Sequence, residues 1–146
     1  RRALRLLLPS TIVLLASAVR ITALPRLPLF LAKDEIIAFE ALRDVAQDSD
    51  VVLAAYETGN VLPAWLPVRV VVGHGSETVD LRATREAVVA FFRGEDQGAL
   101  LAEQDVDYVY WGPLERRLGG PDPSVANDLE LVVEQGVFTI YAVPRP

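Results

Sequence analysis

The chain has 146 residues, of which 51% are apolar, so it is long enough to build one domain with a hydrophobic core. Cysteine is absent, which excludes disulfides and thiolate metal sites. The net charge of −6 disfavours nucleic acid as a partner, because the acidic part of the chain has no basic cluster to neutralise phosphates.

The charges are unevenly distributed along the sequence. Residues 1–33 contain six basic residues and no acidic residue. Residues 34–146 contain the other eight basic residues and all twenty acidic ones, a net charge of −12. This break predicts two physically different regions that join near Lys33.

The N-terminal region is apolar. Leu6–Val19 is an uncharged run of fourteen residues, and Ile21–Leu24 extends it towards the roughly 20 apolar residues that a membrane span needs. We therefore expect residues 1–24 to form the last transmembrane helix of a longer protein and to contact the bilayer through residues 4–24.

A cleaved signal peptide is the alternative, since the basic start, the short apolar core and Ala16-Ser17-Ala18 fit one. A buried helix is a third interpretation. The first two place the acidic domain outside the cytoplasm.

Helices and short strands alternate after the apolar segment. Two prolines predict an extended connector over residues 25–33, because proline disfavours a helix at the residue before it. A domain over residues 34–146 follows, and Asp34 is a suitable cap for its first helix. The predicted elements are a helix at Asp34–Gln47, a strand at Val51–Ala55, a helical turn at Val61–Trp65, a strand at Val68–Val72, helices at Leu81–Arg93 and Gln97–Gln104, a strand at Val106–Trp111, a helical turn at Pro113–Leu118, a loop at Gly119–Pro123, and hairpin strands at Leu129–Glu134 and Val137–Val143.

This order predicts an α/β fold with a small three-layer open sheet, preceded by the N-terminal apolar helix. The sheet should be mostly parallel, with three parallel strands and a C-terminal antiparallel hairpin. Each predicted parallel strand ends in a polar cluster that contains glycine, and the carboxyl ends of such strands form the binding crevice of open α/β sheets. The candidate rim of this crevice consists of Tyr56, Glu57, Thr58, Gly59, Asn60, Gly73, His74, Gly75, Ser76, Glu77, Thr78, Trp111 and Gly112.

The sequence Gly73-His74-Gly75 is not a phosphate-binding loop. It lacks the lysine of a Walker motif and the spacing of a dinucleotide fingerprint, and we expect no cofactor. Two interpretations remain open: a tight turn between a strand and a helix, or a loop that presents backbone N–H groups and His74 to a ligand. Because His74 is the only histidine, a two-histidine metal site is excluded, and we predict no metal.

Acid–base chemistry is a weaker hypothesis for the same loops. His74 could pair with Glu57 or Glu77 as an acid–base couple, or it could make a structural hydrogen bond. The two glutamates follow neighbouring strands, so both carboxylates could face one crevice, as in a glycosidase. A carboxylate in a polar loop is more often solvated or capping a helix.

The aromatic residues near the third strand also allow two interpretations. Strand alternation places Tyr108 and Tyr110 on one face and Trp111 on the other, which core packing explains. Alternatively, Trp111 could form an aromatic platform for a sugar or a lipid-linked substrate, together with Tyr56 and Trp65.

Several segments in this order carry a family resemblance: an apolar start, a proline-rich connector, VVLAAYETGNVLPA, RVVVGHGSETVD, VDYVYWGPLERRLG and a closing FTIYAV. The chain resembles the C-terminal soluble region of bacterial multi-pass membrane glycosyltransferases of the protein O-mannosyltransferase and aminoarabinose-transferase type. Glu57–Ala64 and Gly73–Asp80 are the most specific segments. Arg20 departs from a clean last membrane span.

The resemblance implies a role on the outer face of the cytoplasmic membrane, where this family uses polyprenyl-phosphate sugar donors. The family's catalytic acid lies upstream of the segments present here, so the resemblance assigns no catalytic residue. It implies a non-catalytic accessory domain that positions a lipid-linked sugar or a glycan acceptor. The alternatives are a secreted domain that binds a small sugar-like or anionic ligand, and a stand-alone enzyme that uses His74.

Overall fold

The computed structural model describes residues 31–76, 78–95 and 98–145. The chain divides into two compact units at residues 1–32 and 33–146, and the second is described below. No helix within the described residues is long and apolar enough to cross a membrane. The predicted transmembrane segment and most of the connector lie outside these residues.

The described residues of the second unit form an α/β domain of twelve short elements. In chain order they are α1 (Lys33–Arg43), β1 (Val51–Leu53), α2 (Tyr56–Gly59), a 3-10 turn (Leu62–Ala64), β2 (Arg69–Val70), α3 (Leu81–Phe92), α4 (Ala99–Glu103), β3 (Tyr108–Trp111), α5 (Pro113–Arg116), a second 3-10 turn (Pro123–Val125), β4 (Glu130–Gln135) and β5 (Phe138–Ala142).

The five strands form one mixed sheet in the order β2-β1-β3-β5-β4. β1 is parallel to β2 on one side and to β3 on the other. β5 is antiparallel to both β3 and β4. The predicted parallel trio and terminal hairpin are therefore present. The prediction of a mostly parallel sheet is confirmed only in part, because β5 runs antiparallel to both of its neighbours and makes the sheet mixed.

Helices pack on both faces of the sheet. On one face Trp111 of β3 stacks on Phe92 of α3, with ring centroids 5.8 Å apart. On the other face the neighbouring Tyr110 contacts Phe39 of α1 at 5.7 Å. These opposite contacts follow from strand alternation, and they confirm that Trp111 and Tyr110 point to different faces.

Local side chains explain where the helices begin and end. Asp80 adopts a left-handed φ of 45°, and its side chain accepts a hydrogen bond from the N–H of Ala83, which starts α3 as predicted. α1 ends at Arg43 rather than Gln47. The reason is that the buried carboxylate of Asp50 accepts the N–H of Gln47 at 2.9 Å, which turns the chain into β1.

Candidate functional site

At the carboxyl ends of β1 and β3, the connections that follow the two strands leave in opposite directions. After β1 the chain runs to β2 on one side, and after β3 it runs towards β5 on the other. Neighbouring parallel strands whose connections leave in opposite directions open a crevice between them, and this is where open α/β sheets usually bind ligands.

Glu115 fills this crevice. Its Oε1 accepts hydrogen bonds from the N–H of Ala55 at 2.9 Å and from the hydroxyl of Thr58 at 2.7 Å. Its Oε2 accepts the N–H of Gly112 at 3.0 Å. The side chain is completely buried. In other open α/β sheets, donors at this position surround a bound anion. Here the donors surround the carboxylate of Glu115, which belongs to the protein itself.

Two opposing effects act on this carboxyl group. Complete burial raises the pKa of Glu115, because a charged carboxylate loses its hydration. The hydrogen bonds from Ala55, Thr58 and Gly112 favour the ionised form and oppose that rise without cancelling it. Glu115 was not among the predicted site residues. The signal that could have revealed it is a glutamate three positions after Gly112, which is the spacing of a capping box.

The segment predicted as a polar loop after β1 is instead one turn of helix, α2. A β-carbon at Gly59, its last residue, would lie 1.9 Å from the carbonyl oxygen of Val72. A β-carbon at Gly73 would lie 2.9 Å from the carbonyl oxygen of Gly59. These two glycines allow α2 to pack directly on the backbone that follows β2. Asn60 closes the turn, and its side-chain amide donates to the carbonyl of Tyr56 at 2.8 Å.

The loop after β2 is partly exposed. His74, Gly75 and Ser76 are exposed, and Glu77 lies outside the described residues. The hydroxyl oxygen of Thr78 accepts the N–H of Gly73 at 3.3 Å, and the N–H of Thr78 donates to the carbonyl of His74 at 3.2 Å. The loop therefore holds its own backbone, and within the described residues the imidazole of His74 makes no hydrogen bond.

Tyr56 lies beside the crevice and contacts a residue that the sequence did not single out. The guanidinium carbon of Arg85 lies 4.2 Å from the centroid of the Tyr56 ring, which is a cation–π contact. Both residues line a cavity of about 110 Å³, together with the exposed Glu57 and the half-buried Leu118. Arg85 is exposed and forms no ion pair with any described residue.

Of the two interpretations of Trp111, the structure supports core packing and not the aromatic platform. Trp111 is only 2% exposed and is packed between Phe92 and the guanidinium of Arg116. Its indole N–H is buried and has no hydrogen-bond partner within the described residues. Trp65 contacts Phe39 on the opposite face of the sheet from Trp111, so the three aromatic side chains do not converge. Burial, which the sequence does not report directly, decides this outcome.

Gly112 is also internal, although it was predicted on the rim. A β-carbon there would lie 2.8 Å from the ring of Tyr110 and 3.2 Å from Oε2 of Glu115. The hydroxyl of Tyr110 donates to the carboxylate of Glu35 at 3.1 Å, and burial raises the pKa of Tyr110. A side chain at position 112 would require the ring of Tyr110 and the carboxylate of Glu115 to shift.

Two further observations concern metal ligands and the opposite end of the sheet. No group of three or more histidine, aspartate or glutamate side chains in the described part of the chain could hold a metal ion. A cavity of about 640 Å³ lies at the opposite end of the sheet, where Asp107 accepts the N–H of Val51 and contacts Arg145.

No family model, curated protein or solved structure matches the chain.

Proposed function

We propose that residues 34–146 form a non-catalytic accessory domain of a membrane glycosyltransferase that uses polyprenyl-phosphate sugar donors. The domain would lie on the extracytoplasmic side of the cytoplasmic membrane and position the lipid-linked donor or the acceptor. The observation that carries this proposal is the crevice between β1 and β3, which the protein's own Glu115 carboxylate fills.

The remaining exposed groups support a positioning role. Thr58, Gly59, Gly73 and Gly112 are buried and serve the packing of the domain. The rim that stays accessible contains the His74 loop. Next to it lie the stacked side chains of Tyr56 and Arg85, which suit contacts to a sugar hydroxyl or an anionic group better than bond cleavage.

The experiment that tests this role uses the full gene product in membrane preparations. Transfer from a polyprenyl-phosphate sugar is compared between the intact protein and a variant that lacks residues 34–146. We expect transfer to continue with a clearly higher KM for donor or acceptor, because the reacting groups lie elsewhere. Complete loss of transfer from a correctly inserted membrane part would place chemistry in this domain. Unchanged kinetics would remove the accessory role.

A secreted domain that binds a small ligand is the second candidate. The Tyr56–Arg85 pair beside a cavity of about 110 Å³ favours it, because the space accepts a group the size of a carboxylate. N-terminal sequencing of the mature protein separates the two functions. A mature end at Val19 would indicate cleavage after Ala18 and support secretion, whereas an intact N-terminal segment supports the membrane enzyme.

A further inference from the structure

The outer edge of β2 pairs with no other strand in the part of the chain that the structure describes. The N–H of Arg69 donates to the carbonyl of Asp50 at 2.9 Å, and the N–H of Val71 donates to the carbonyl of Val52 at 3.2 Å. Both residues therefore face β1. Backbone groups alternate in direction along a strand, so the N–H and C=O of Val70 point away from the sheet. β2 is the terminal strand on this side.

A groove borders β2 and extends to Val51 of β1 and Thr84 of α3. Its volume is about 570 Å³, and Pro63, Val68, Val70 and Val79 supply apolar lining. Val79 is 89% exposed, the highest value among the large apolar side chains that remain at the surface. An apolar side chain held in water beside a free strand edge is typical of surfaces that accept an additional strand.

Arg69 is the only side chain with a formal charge at pH 7 among the described residues that line the groove, and its charge is opposite to that of the domain. The described lining residues of the groove include Arg69 and His74 but no aspartate or glutamate. Residues 34–146 carry a net charge of −12, so a lining without acidic residues is unusual for this surface. Arg69 is exposed and forms no ion pair within the described part of the chain. An acidic partner would complement this groove.

We propose that the β2 edge binds an extended peptide that carries one acidic residue between apolar ones. The peptide adds as a sixth strand, and its backbone exchanges two hydrogen bonds with Val70. Its acidic side chain meets Arg69, and an apolar side chain covers Val79. This inference concerns a surface outside the crevice of Glu115, so it goes beyond the proposed function and stands whether or not the glycosyltransferase role is right.

The test measures binding of a fluorescently labelled, end-blocked peptide, Ser-Val-Asp-Val-Thr-Ser, to the full chain in detergent micelles by anisotropy. We expect saturable binding that Arg69→Glu weakens about fivefold, through loss of attraction and gain of repulsion. Arg82→Glu, which makes the same charge change on the exposed side of α3, should alter it less than twofold. A peptide with lysine in place of aspartate should prefer the Arg69→Glu variant.

Val70→Pro tests the backbone contact. Proline removes the outward N–H of Val70 and leaves the bonds of Arg69 and Val71 to β1 in place, so binding should be lost. Circular dichroism reports whether the Val70→Pro variant folds. If it does not fold, the comparison of peptide binding by wild type and by Arg69→Glu still tests the proposal. Absence of saturable binding at millimolar peptide, or equal binding by wild type and Arg69→Glu, would overturn the proposal. So would a dimer in sedimentation experiments that hides the Val70 N–H from hydrogen exchange without peptide.

Discussion

At the scale of single residues, Glu115 holds together two segments that are distant in sequence. One oxygen contacts the segment after β1 and the other contacts the segment after β3. A buried carboxylate is stabilising only while its donors and its geometry are complete, because its desolvation is costly. Glu115 therefore contributes to the stability of the domain, and its carboxylate occupies the crevice in which an anion could otherwise bind.

Substitution of Glu115 should destabilise the domain strongly. Glu115→Ala leaves three buried donors without an acceptor, and we expect it to lower the free energy of unfolding by about 4 kcal/mol. Glu115→Gln should cost about 2 kcal/mol, because one of its amide atoms faces the donors Ala55 and Thr58 or the donor Gly112 with the wrong polarity. Urea unfolding measures both changes.

Glu57→Ala is the matched control, because Glu57 is an exposed glutamate in the neighbouring helix. It should change the stability by less than about 0.5 kcal/mol. Equal effects of Glu115→Ala and Glu57→Ala would refute the structural role of the buried carboxylate.

Asp122 should govern part of the acid sensitivity. Partial burial alone would raise the pKa of its carboxyl, but hydrogen bonds from Ser124 and from the hydroxyl of Tyr141 outweigh it and lower the pKa. A lowered pKa in the folded state means that the stabilisation is present above the ordinary value of 3.8 and is lost as the pH falls through the folded value.

We therefore expect Asp122→Asn to be less stable than wild type by about 1–2 kcal/mol at neutral pH, and this difference should shrink progressively as the pH falls below the ordinary carboxyl pKa. Urea unfolding across this range measures the difference. Asp48→Asn, at an exposed aspartate, serves as the control and should follow wild type at every pH. A constant difference between Asp122→Asn and wild type over the whole range would contradict the assignment.

At the scale of elements, the sequence predicts the strands, the longer helices and the turns near Leu62 and Pro113, but it misses the helix α2. α3 was predicted at Leu81–Arg93 and ends one residue earlier, because a clear apolar stripe and the Asp80 cap define it. α2 has four residues, too few to show a helical period, and its glycine suggested a loop. The burial of Trp111 and the contacts of Glu115 depend on residues far apart in the chain, which periodicity does not report.

Gly59 allows a test of how α2 packs. Alanine normally stabilises a helix relative to glycine, by about 1 kcal/mol. At position 59 its β-carbon would lie 1.9 Å from the carbonyl oxygen of Val72, so we expect Gly59→Ala to destabilise the domain by about 3 kcal/mol or more. Thermal and urea unfolding both report this change.

The comparison is Gly119→Ala, at a glycine with open space around it and a φ of 98°. Only backbone strain acts there, so the cost should be about 1 kcal/mol. A stabilising effect of Gly59→Ala would mean that α2 does not approach the end of β2 as closely as described.

At the scale of the whole molecule, the proposed accessory role means that the loops of this domain take no part in the chemistry of sugar transfer. His74→Ala should leave sugar transfer by the full gene product within about twofold of wild type, since an exposed loop residue rarely contributes more unless it takes part in the chemistry. Initial rates at saturating donor measure this. A loss of a hundredfold or more, with unchanged expression and membrane insertion, would instead favour the enzyme that uses His74.

β5 follows both β3 and β4 in the sequence, yet it lies between them in the sheet. During synthesis, therefore, β3 and β4 have no shared neighbour until Phe138–Ala142 has been made. A sheet whose inner strand is made after both of its neighbours closes only once that strand is available. For the extracytoplasmic domain proposed above, this order keeps the sheet open, and so keeps the chain able to pass through a membrane channel, until Phe138–Ala142 has been made.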